Sequence, residues 1–442
     1  MTATTTYNLR RVLGVGFGLA IAFGGTVGVG ILRLPSTLAA NLGDAKLIVL
    51  FWILGGIYAL LGAVSVAELA AMIPEAGGFY VYARRAFGKG VGFVVGFADW
   101  LNEVSALSYA ALSAGTFVGE LAPSAAGHDK IVALIFLALF TALHWIGIRL
   151  SGVLTRLISL CVGLMMIVII VGCFLVTPLS APAVSAPIAT GGLFIAVVAS
   201  LRAVFVAYDG WYSPIYMAEE STSPARTLPR AIIGGTLLVA AVYILLNVAI
   251  LRVLPIPVLA ASTLPAADAA RVIMPQGGGL LVTVISLCTL LSLMNAILLM
   301  TPRIMVALGR DGLLSERAAR VSAGGVPRFA LAATSIFSAG LIAWGSFDEI
   351  VDIAAVLFLL VYAAAYVSLL VLRRREPDAV RPYRAWGFPV STIVVLGGCL
   401  SLWVSSIYKD PKTGLLAALL LAACVPVYAI LKRRRTPPAA GV

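Results

Sequence analysis

Twelve long apolar stretches constrain the fold of this chain more than any other feature. A helix needs about 20 mainly apolar residues to cross the ~30 Å hydrocarbon core of a bilayer. The 442-residue sequence contains such stretches at 12–41, 46–72, 90–121, 131–148, 153–177, 191–220, 231–253, 278–308, 329–346, 350–372, 388–408 and 413–431, here called spans 1 to 12. The segments between them are short and rich in Pro, Gly, Arg or Ser, as is typical of loops. The pattern predicts an all-α integral membrane protein with 12 transmembrane helices and no separate soluble domain.

Composition supports this fold class. Hydrophobic residues make up 61% of the chain and charged residues 11%, against about 45–50% and roughly 25% in soluble domains. A single water-soluble core of this size could not bury that surplus. A soluble enzyme, a disordered chain and a small disulfide scaffold are therefore excluded. We read the first apolar stretch as the first span, not as a cleavable signal.

The distribution of basic residues predicts the topology. With the N-terminus in the cytoplasm, 23 Lys and Arg residues fall in cytoplasmic segments and six in external ones. Such an excess is the positive-inside pattern of membrane proteins. We expect a multi-pass protein of the cytoplasmic (inner) membrane with both termini cytoplasmic. The net charge of +12 is then a topology signal, so we expect the lipid bilayer and no nucleic acid as a partner.

Cysteine and histidine do not indicate a metal or catalytic centre. The cysteines lie inside apolar stretches without CxxC spacing, which is typical of buried small hydrophobes. His128 and His144 are too few and too isolated for a metal site. A membrane-embedded enzyme would need a nucleophile–base pair or a metal cluster, and no such set is evident. We expect no enzyme activity, metal or cofactor.

Spans 1 and 6 are interrupted in corresponding places. Span 1 carries four glycines within residues 24–30, and span 6 carries Asp209, Gly210 and Pro214 at mid-membrane depth. Helix breaks in lipid are tolerated where they line a protected cavity. Paired breaks five spans apart indicate an inverted repeat and the binding site of a transporter. The alternative is close helix packing, because Gly24 and Gly28 have small-xxx-small spacing.

Four segments together resemble the amino acid–polyamine–organocation transporter superfamily, in particular its L-type amino acid transporter branch. They are the glycine-rich run 24–31, the loop 74–82 after span 2, the run 207–230 at span 6 and its exit, and Arg303 with 309–312 at the end of span 8. The resemblance covers essentially the whole chain. It implies a LeuT-like fold with a 5+5 inverted repeat: a first repeat over about 12–177, a second over about 191–372, and helices 11 and 12 over about 388–431.

The resemblance also implies an amino acid permease that works by alternating access. Spans 1, 2, 6 and 7 would move against a scaffold of spans 3, 4, 8 and 9. Saturable uptake would distinguish this function from a channel. Neutral amino acids are favoured by the apolar side chains near the breaks, and a cationic amino acid or polyamine antiporter is the alternative. We expect an exchanger or a proton-coupled symporter. Sodium-independent members of the family commonly carry a lysine in span 5 in place of a sodium ion; span 5 here has none, so the coupling ion stays open. The branch resembled includes members that are disulfide-linked to an ancillary subunit through an external cysteine after span 3. Residues 121–130 contain no cysteine, so we expect no such subunit.

The predicted site lies around the two breaks. Backbone amides at the start of the second half of span 1 would bind the substrate carboxylate, and carbonyls near 205–207 would accept from its ammonium. Phe205 or Tyr208 would cover the substrate as a gate. The predicted substrate-binding residues are Thr26, Val27, Gly28, Val29, Gly30, Phe205, Val206, Ala207, Tyr208, Asp209, Gly210, Trp211 and Asn295.

Charged residues inside the spans form the remaining predicted set, a gating or charge network of Arg33, Glu103 and Arg202. Charges at membrane depth are costly and are usually paired or functional. The arginines would either form ion pairs, with Glu68, Asp99, Glu103 or Asp209 as candidates, or select an anionic side chain. Three roles fit Asp209: capping the second half of span 6, binding a cationic group, or carrying a coupling proton. Glu219 and Glu220, close to Arg226 and Arg230 at the cytoplasmic end of span 6, are expected to form an inner-gate or loop network and not a substrate site.

Overall fold

The chain is built almost entirely from helices. The computed structural model describes residues 9, 11, 13–180, 192–345, 347–409 and 411–433. Its α-helices are α1 Val15–Thr26, α2 Gly30–Leu42, α3 Ala45–Met72, α4 Phe79–Phe87, α5 Lys89–Leu121, α6 Asp129–Ile146, α7 Ile148–Leu175, α8 Leu193–Ala207, α9 Pro224–Val253, α10 Ile256–Ala261, α11 Pro265–Ile273, α12 Gly278–Arg310, α13 Glu316–Ala319, α14 Arg328–Trp344, α15 Phe347–Arg375, α16 Val390–Lys409 and α17 Pro411–Arg433. Two 3₁₀ helices, Pro123–Ala125 and Ser213–Glu220, complete the set for these residues.

Each predicted span coincides with one of these helices or, for spans 1 and 6, with a broken pair. Within the described residues, eight helices are long and apolar enough to cross a membrane, and the pair α1 and α2, bent by 48°, counts as a ninth. Helices α8 and α14 are apolar but shorter. Acidic, hydroxyl and small residues lower the hydropathy of the 33-residue α5. An all-helical membrane protein is thereby confirmed.

Several positions used in the sequence predictions lie outside the described residues. They are the first residues assigned to spans 1 and 6, residues 12 and 191, the basic residues Arg10, Arg434 and Arg435, and both chain termini.

The helices pack in two groups that meet at the breaks. In the first group, α3 and α1 pack along α9, and the 213–220 helix contacts both α1 and α9. In the second group, α5 packs along α12 and α6, and α14 lies against α5 and α6. Helix α7 contacts α1, α9 and α12, so it joins the two groups.

Hydrogen bonds from arginines and a backbone amide tie the loops to this frame. The Arg252 guanidinium donates to the carbonyls of Cys173 and Val176, at 2.6 and 2.9 Å. These carbonyls lie at the end of α7, where the last turn has no intrahelical donor. The Glu68 carboxylate of α3 accepts from Arg373 at 2.7 Å and from the Ala385 amide at 2.7 Å. Helix α3 is thus tied to the segment that follows α15.

Candidate binding cavity between the broken helices

The first break lies between α1 and α2, at residues 27–29. The Val27 amide still donates to the Phe23 carbonyl at 2.8 Å, but its ψ of 102° turns the chain out of the helix. The Tyr243 hydroxyl of α9 donates to the freed Thr26 carbonyl at 3.0 Å. The first N–H groups of α2 have no intrahelical acceptor and carry the positive end of the helix dipole. Beside Gly28 the space is open, because a Cβ built there would meet no atom within 4 Å.

The second break lies between α8 and the 213–220 helix. Gly210 has a φ of +110°, which favours glycine over any L side chain. Its carbonyl accepts from the Ser213 amide at 3.1 Å and from the Ser213 hydroxyl at 2.7 Å. A Cβ on Gly210 would overlap the Gly25 carbonyl, and a Cβ on Gly25 would overlap Ser213. The two breaks therefore pack backbone against backbone, which explains the glycines.

A cavity of about 900 Å³ extends from these breaks to one end of the helix bundle. Its inner part is lined by Gly28, Val29, Gly210 and the two acids Glu103 and Asp209. Its mouth lies between the start of α6 and the end of α14, where Trp344 is 94% exposed. This volume lies in the range of small-molecule sites.

Tyrosine hydroxyls donate hydrogen bonds to the buried carboxylates near the breaks. Tyr212 donates to Glu103 at 2.8 Å, and Tyr362 donates to Asp209 at 2.5 Å. One turn further from the mouth, Tyr216 donates to Asp99 at 2.7 Å, and the other Asp99 carboxylate oxygen has no partner among the described residues. The spacing explains the pairing. Asp99 and Glu103 lie four residues apart on α5, and they face Tyr216 and Tyr212, which also lie four residues apart. The sequence predictions did not include these tyrosines, although the matched spacing is visible in the sequence.

The structure brings most of the predicted site residues to the cavity wall. They come from both breaks, from α5 and from α2: Thr26, Gly28, Val29, Gly30, Arg33, Glu103, Val206, Ala207, Asp209 and Gly210. The Arg33 guanidinium lies 5.6 Å from the centroid of the Phe117 ring, near the mouth. None of the ion pairs between described residues includes Arg33 or Arg202. The carboxylates expected to pair with them are bonded to other arginines or to tyrosines.

Phe205 and Tyr208, beside the second break, lie outside the cavity wall, so their expected role as a gate needs correction. Phe205 stacks on Tyr58 with centroids 3.9 Å apart, and Tyr208 donates to the Trp52 carbonyl at 2.9 Å. Both partners belong to α3, where glycines leave room for the Tyr208 ring. Other predicted residues that lie outside the described cavity wall are Val27, Trp211 and Arg202.

Asn295 also lies outside the cavity wall. Its amide donates to Thr155 at 2.7 Å, and its carbonyl oxygen lies 3.0 Å from the His144 ring nitrogen. All three side chains are buried, between α6, α7 and α12. In this structure Asn295 joins helices and does not contact the cavity, contrary to expectation.

The end of the bundle opposite the mouth is closed by ion pairs. Glu220 and Arg303, both buried, are 2.9 Å apart, and Glu219 and Arg310 are 2.6 Å apart. The network at this end therefore uses Arg303 and Arg310, and none of the ion pairs between described residues joins these acids to the nearby Arg226 or Arg230. Both carboxylates pair with arginines at the end of α12, which the 213–220 helix contacts. With 3.0 residues per turn, this helix places its side chains differently from the α-helix assumed for span 6.

A second cluster at this end joins α4 to the end of α12. Arg84 lies 2.5 Å from both Asp311 and Glu75, and the Tyr80 hydroxyl donates to Asp311 at 2.5 Å. Burial acts to raise the pKa of Asp311, but the hydrogen bonds from Tyr80 and Arg84 outweigh it, so the pKa lies below its ordinary value. Asp311 is thus held in its charged form.

Broken helices around a cavity that is open at one end and closed by ion pairs at the other define a membrane transporter. Sequence comparison gives the family. The model of a family described as "Amino acid permease" matches residues 18–429. The chain belongs to the amino acid permease family, and this places it among transporters, not enzymes.

Similar proteins agree with this assignment. The chain is 26% identical to the serine/threonine exchanger SteT of Bacillus subtilis, over 98% of this chain and 99% of that protein. It is 30% identical to the vacuolar cationic amino acid transporter 2 of Arabidopsis thaliana, over 84% of this chain and 61% of that protein. It is 26% identical to the b(0,+)-type amino acid transporter 1 of Mus musculus, over 93% of this chain and 85% of that protein.

Proposed function

We propose that this permease binds an amino acid at the two facing breaks and moves it across the cytoplasmic membrane by alternating access. The backbone contact of Gly25 with Gly210 carries the proposal, because it brings two helix breaks together at the inner end of an open cavity. N–H groups at the start of α2 and carbonyls at the end of α8 then line the same volume. A zwitterion offers the matching carboxylate and ammonium.

The substrate carboxylate would bind the N–H groups of residues 28–30 at the start of α2. The ammonium would bind the last carbonyls of α8, near Val206 and Ala207, with Asp209 close by. All of these residues line the cavity. Glycine at position 28 has open space beside it, so the substrate can approach the backbone closely.

We assign the 12-span topology with a LeuT-like 5+5 repeat, about 12–177 and 191–372, to this fold. Two observations support it: the predicted spans match helices in order, and the broken pairs are five spans apart. The basic residues of the closed end match the cytoplasmic side of the predicted topology, with both termini inside. The cavity would then face outward.

Alternating access would open the closed end. The buried pair Glu220–Arg303 joins the 213–220 helix of one helix group to α12 of the other. Breaking it should favour the inward-open state. We expect Glu220→Gln to increase the reactivity of a cysteine introduced at Ser213 toward a thiol reagent applied from the cytoplasmic side. Glu376→Gln, which breaks the exposed Arg85 pair, is the matched control; equal reactivity in the two variants would contradict the gate.

Neutral amino acids are the first substrate proposal. Val29 and Val206 give the cavity apolar walls, and one relative is a serine/threonine exchanger. A second candidate, a cationic amino acid or polyamine, is favoured by the position of Glu103 and Asp209 in the same wall. A relative named as a cationic amino acid transporter agrees with it.

Uptake into proteoliposomes separates these candidates. The assay would use labelled serine, threonine, leucine, lysine and putrescine, each with and without sodium, a pH gradient and internal amino acid. Neutral exchange predicts uptake that requires internal amino acid and is inhibited by serine or threonine. Inhibition by lysine or putrescine alone would support the second candidate, and failure of every amino acid to compete would refute the proposal.

A further inference from the structure

The outer surface of the bundle carries a second pocket between α6 and α14, and none of its lining residues belongs to the cavity wall. Its volume is about 660 Å³. Leucine, isoleucine, alanine and tryptophan side chains form most of its wall, among them Leu134, Ala138, Trp145, Ile336 and Ala339. We call this pocket the α6–α14 groove.

The groove offers almost no free hydrogen-bonding group. Its two hydroxyls satisfy each other, because Thr141 and Ser335 lie 2.7 Å apart, and the Thr141 hydroxyl also donates to the Leu137 carbonyl. A polar ligand would lose its hydrogen bonds to water without replacement there. An alkyl chain would lose none.

One end of the groove is cationic. The Arg328 guanidinium lies 5.6 Å from the centroid of the Trp145 ring, which is close enough for a cation–π interaction. The Ile148 amide reaches the Gly324 carbonyl at 3.5 Å, so the start of α7, with Arg149, lies beside the segment that leads into α14. Both arginines are exposed, and the ion pairs found between described residues use neither.

We propose that the α6–α14 groove binds an anionic phospholipid. One acyl chain lies along the apolar wall, and Arg328 and Arg149 hold the phosphate and its anionic headgroup. Trp145 is the kind of residue that lies at the headgroup level of a bilayer. Basic pockets between transmembrane helices recognise anionic headgroups through charge. The headgroup charge is the specific element, since any bilayer lipid supplies an acyl chain. The proposal is independent of the transported substrate.

Native mass spectrometry of the full chain, released from detergent and titrated with dioleoyl phosphatidylglycerol or dioleoyl phosphatidylcholine, tests this proposal. The two lipids have the same acyl chains and differ in net charge. We expect phosphatidylglycerol to bind about fivefold more tightly, because that is the gain in affinity from about one additional charge contact near a membrane surface. Arg328→Gln should remove most of this preference, and Ala138→Trp, which fills the groove, should weaken binding of the first lipid molecule.

Two control variants keep the result specific. Arg374→Gln removes an exposed arginine at the same end of the bundle, and Leu139→Trp places the same tryptophan side chain at an exposed position of α6 outside the groove wall. Neither should change the lipid preference. Equal binding of the two lipids by the unmodified chain would overturn the proposal. Equal effects of Arg328→Gln and Arg374→Gln on the lipid preference would show a diffuse surface charge and would also overturn it. Equal effects of Ala138→Trp and Leu139→Trp on lipid binding would do the same. Circular dichroism of each variant checks that its helices are intact.

Discussion

The Tyr212 hydroxyl donates a hydrogen bond of 2.8 Å to the Glu103 carboxylate across the inner part of the cavity. This contact joins the turn that precedes the 213–220 helix to α5. The two elements belong to the two helix groups that meet at the cavity. The bond thus couples the cavity wall to the element that also carries the closing pair Glu220–Arg303.

Tyr212→Phe should raise the KM for transport, because Glu103 lines the cavity and would lose its hydroxyl donor. Tyr216→Phe is the matched control: it removes the donor to Asp99, which lies outside the cavity wall. Each variant should lower the free energy of unfolding by about 1–3 kcal/mol, measured by thermal unfolding in detergent. A KM that rises equally in both variants would contradict the assignment of Glu103 to the substrate cavity.

Gly210→Ala should abolish transport. The φ of +110° strains any L side chain at this position, and the added Cβ would overlap the Gly25 carbonyl. Forcing such a conformation costs on the order of 1–3 kcal/mol, before the overlap is counted. Gly340→Ala on α14 is the control, because open space surrounds Gly340. Uptake and melting temperature would be compared; full activity of Gly210→Ala would show that the breaks need not touch.

Asn295→Ala should lower stability without changing substrate affinity. The substitution leaves Thr155 and His144 without their amide partner, which costs about 1–3 kcal/mol. Asn295→Asp keeps an oxygen acceptor toward His144 and should lose less. Melting temperature and KM would be measured together. A higher KM at an unchanged melting temperature would contradict this assignment and support the direct substrate contact predicted from the sequence.

Asp311→Asn should remove part of the acid sensitivity of the fold. A folded pKa below the ordinary value means that Asp311 contributes stability at pH values above about 4. That contribution is lost as pH falls through the lowered pKa. The variant should therefore melt at a lower temperature than the unmodified chain at pH 7 and differ less from it in strong acid. Glu316→Gln removes a carboxylate at an exposed position of the same end and serves as control; a constant difference at all pH values would contradict this role of Asp311.

The positions of the long helices and of both breaks could be predicted from the sequence, because they depend on local properties. Apolar length defines the helices, and glycines at 24–30 and 210 mark the points where two backbones touch. Family resemblance then pointed to the cavity, and Gly28, Val29, Asp209 and Glu103 lie in its wall.

The directions and partners of several side chains could not be predicted, because they depend on contacts between distant segments. Phe205 and Tyr208 pack against α3, since it offers them an aromatic partner, glycine-lined space and a carbonyl acceptor. Glu220 pairs with Arg303, 83 positions away, because a 3₁₀ helix rotates its side chains differently from an α-helix. A helical projection of span 6 shows neither the direction of Phe205 and Tyr208 nor the partner of Glu220.

Counterflow of a labelled amino acid is the decisive test of substrate binding at the facing breaks. Proteoliposomes containing the unmodified chain are loaded with unlabelled serine and diluted into labelled serine, with threonine and lysine tested in parallel, beside proteoliposomes containing Gly28→Leu. We predict saturable uptake that depends on internal amino acid and is lost in Gly28→Leu, because the leucine side chain fills the open space at the start of α2. Uptake that does not saturate, ignores internal amino acid, or persists unchanged in the variant would contradict binding at the facing breaks.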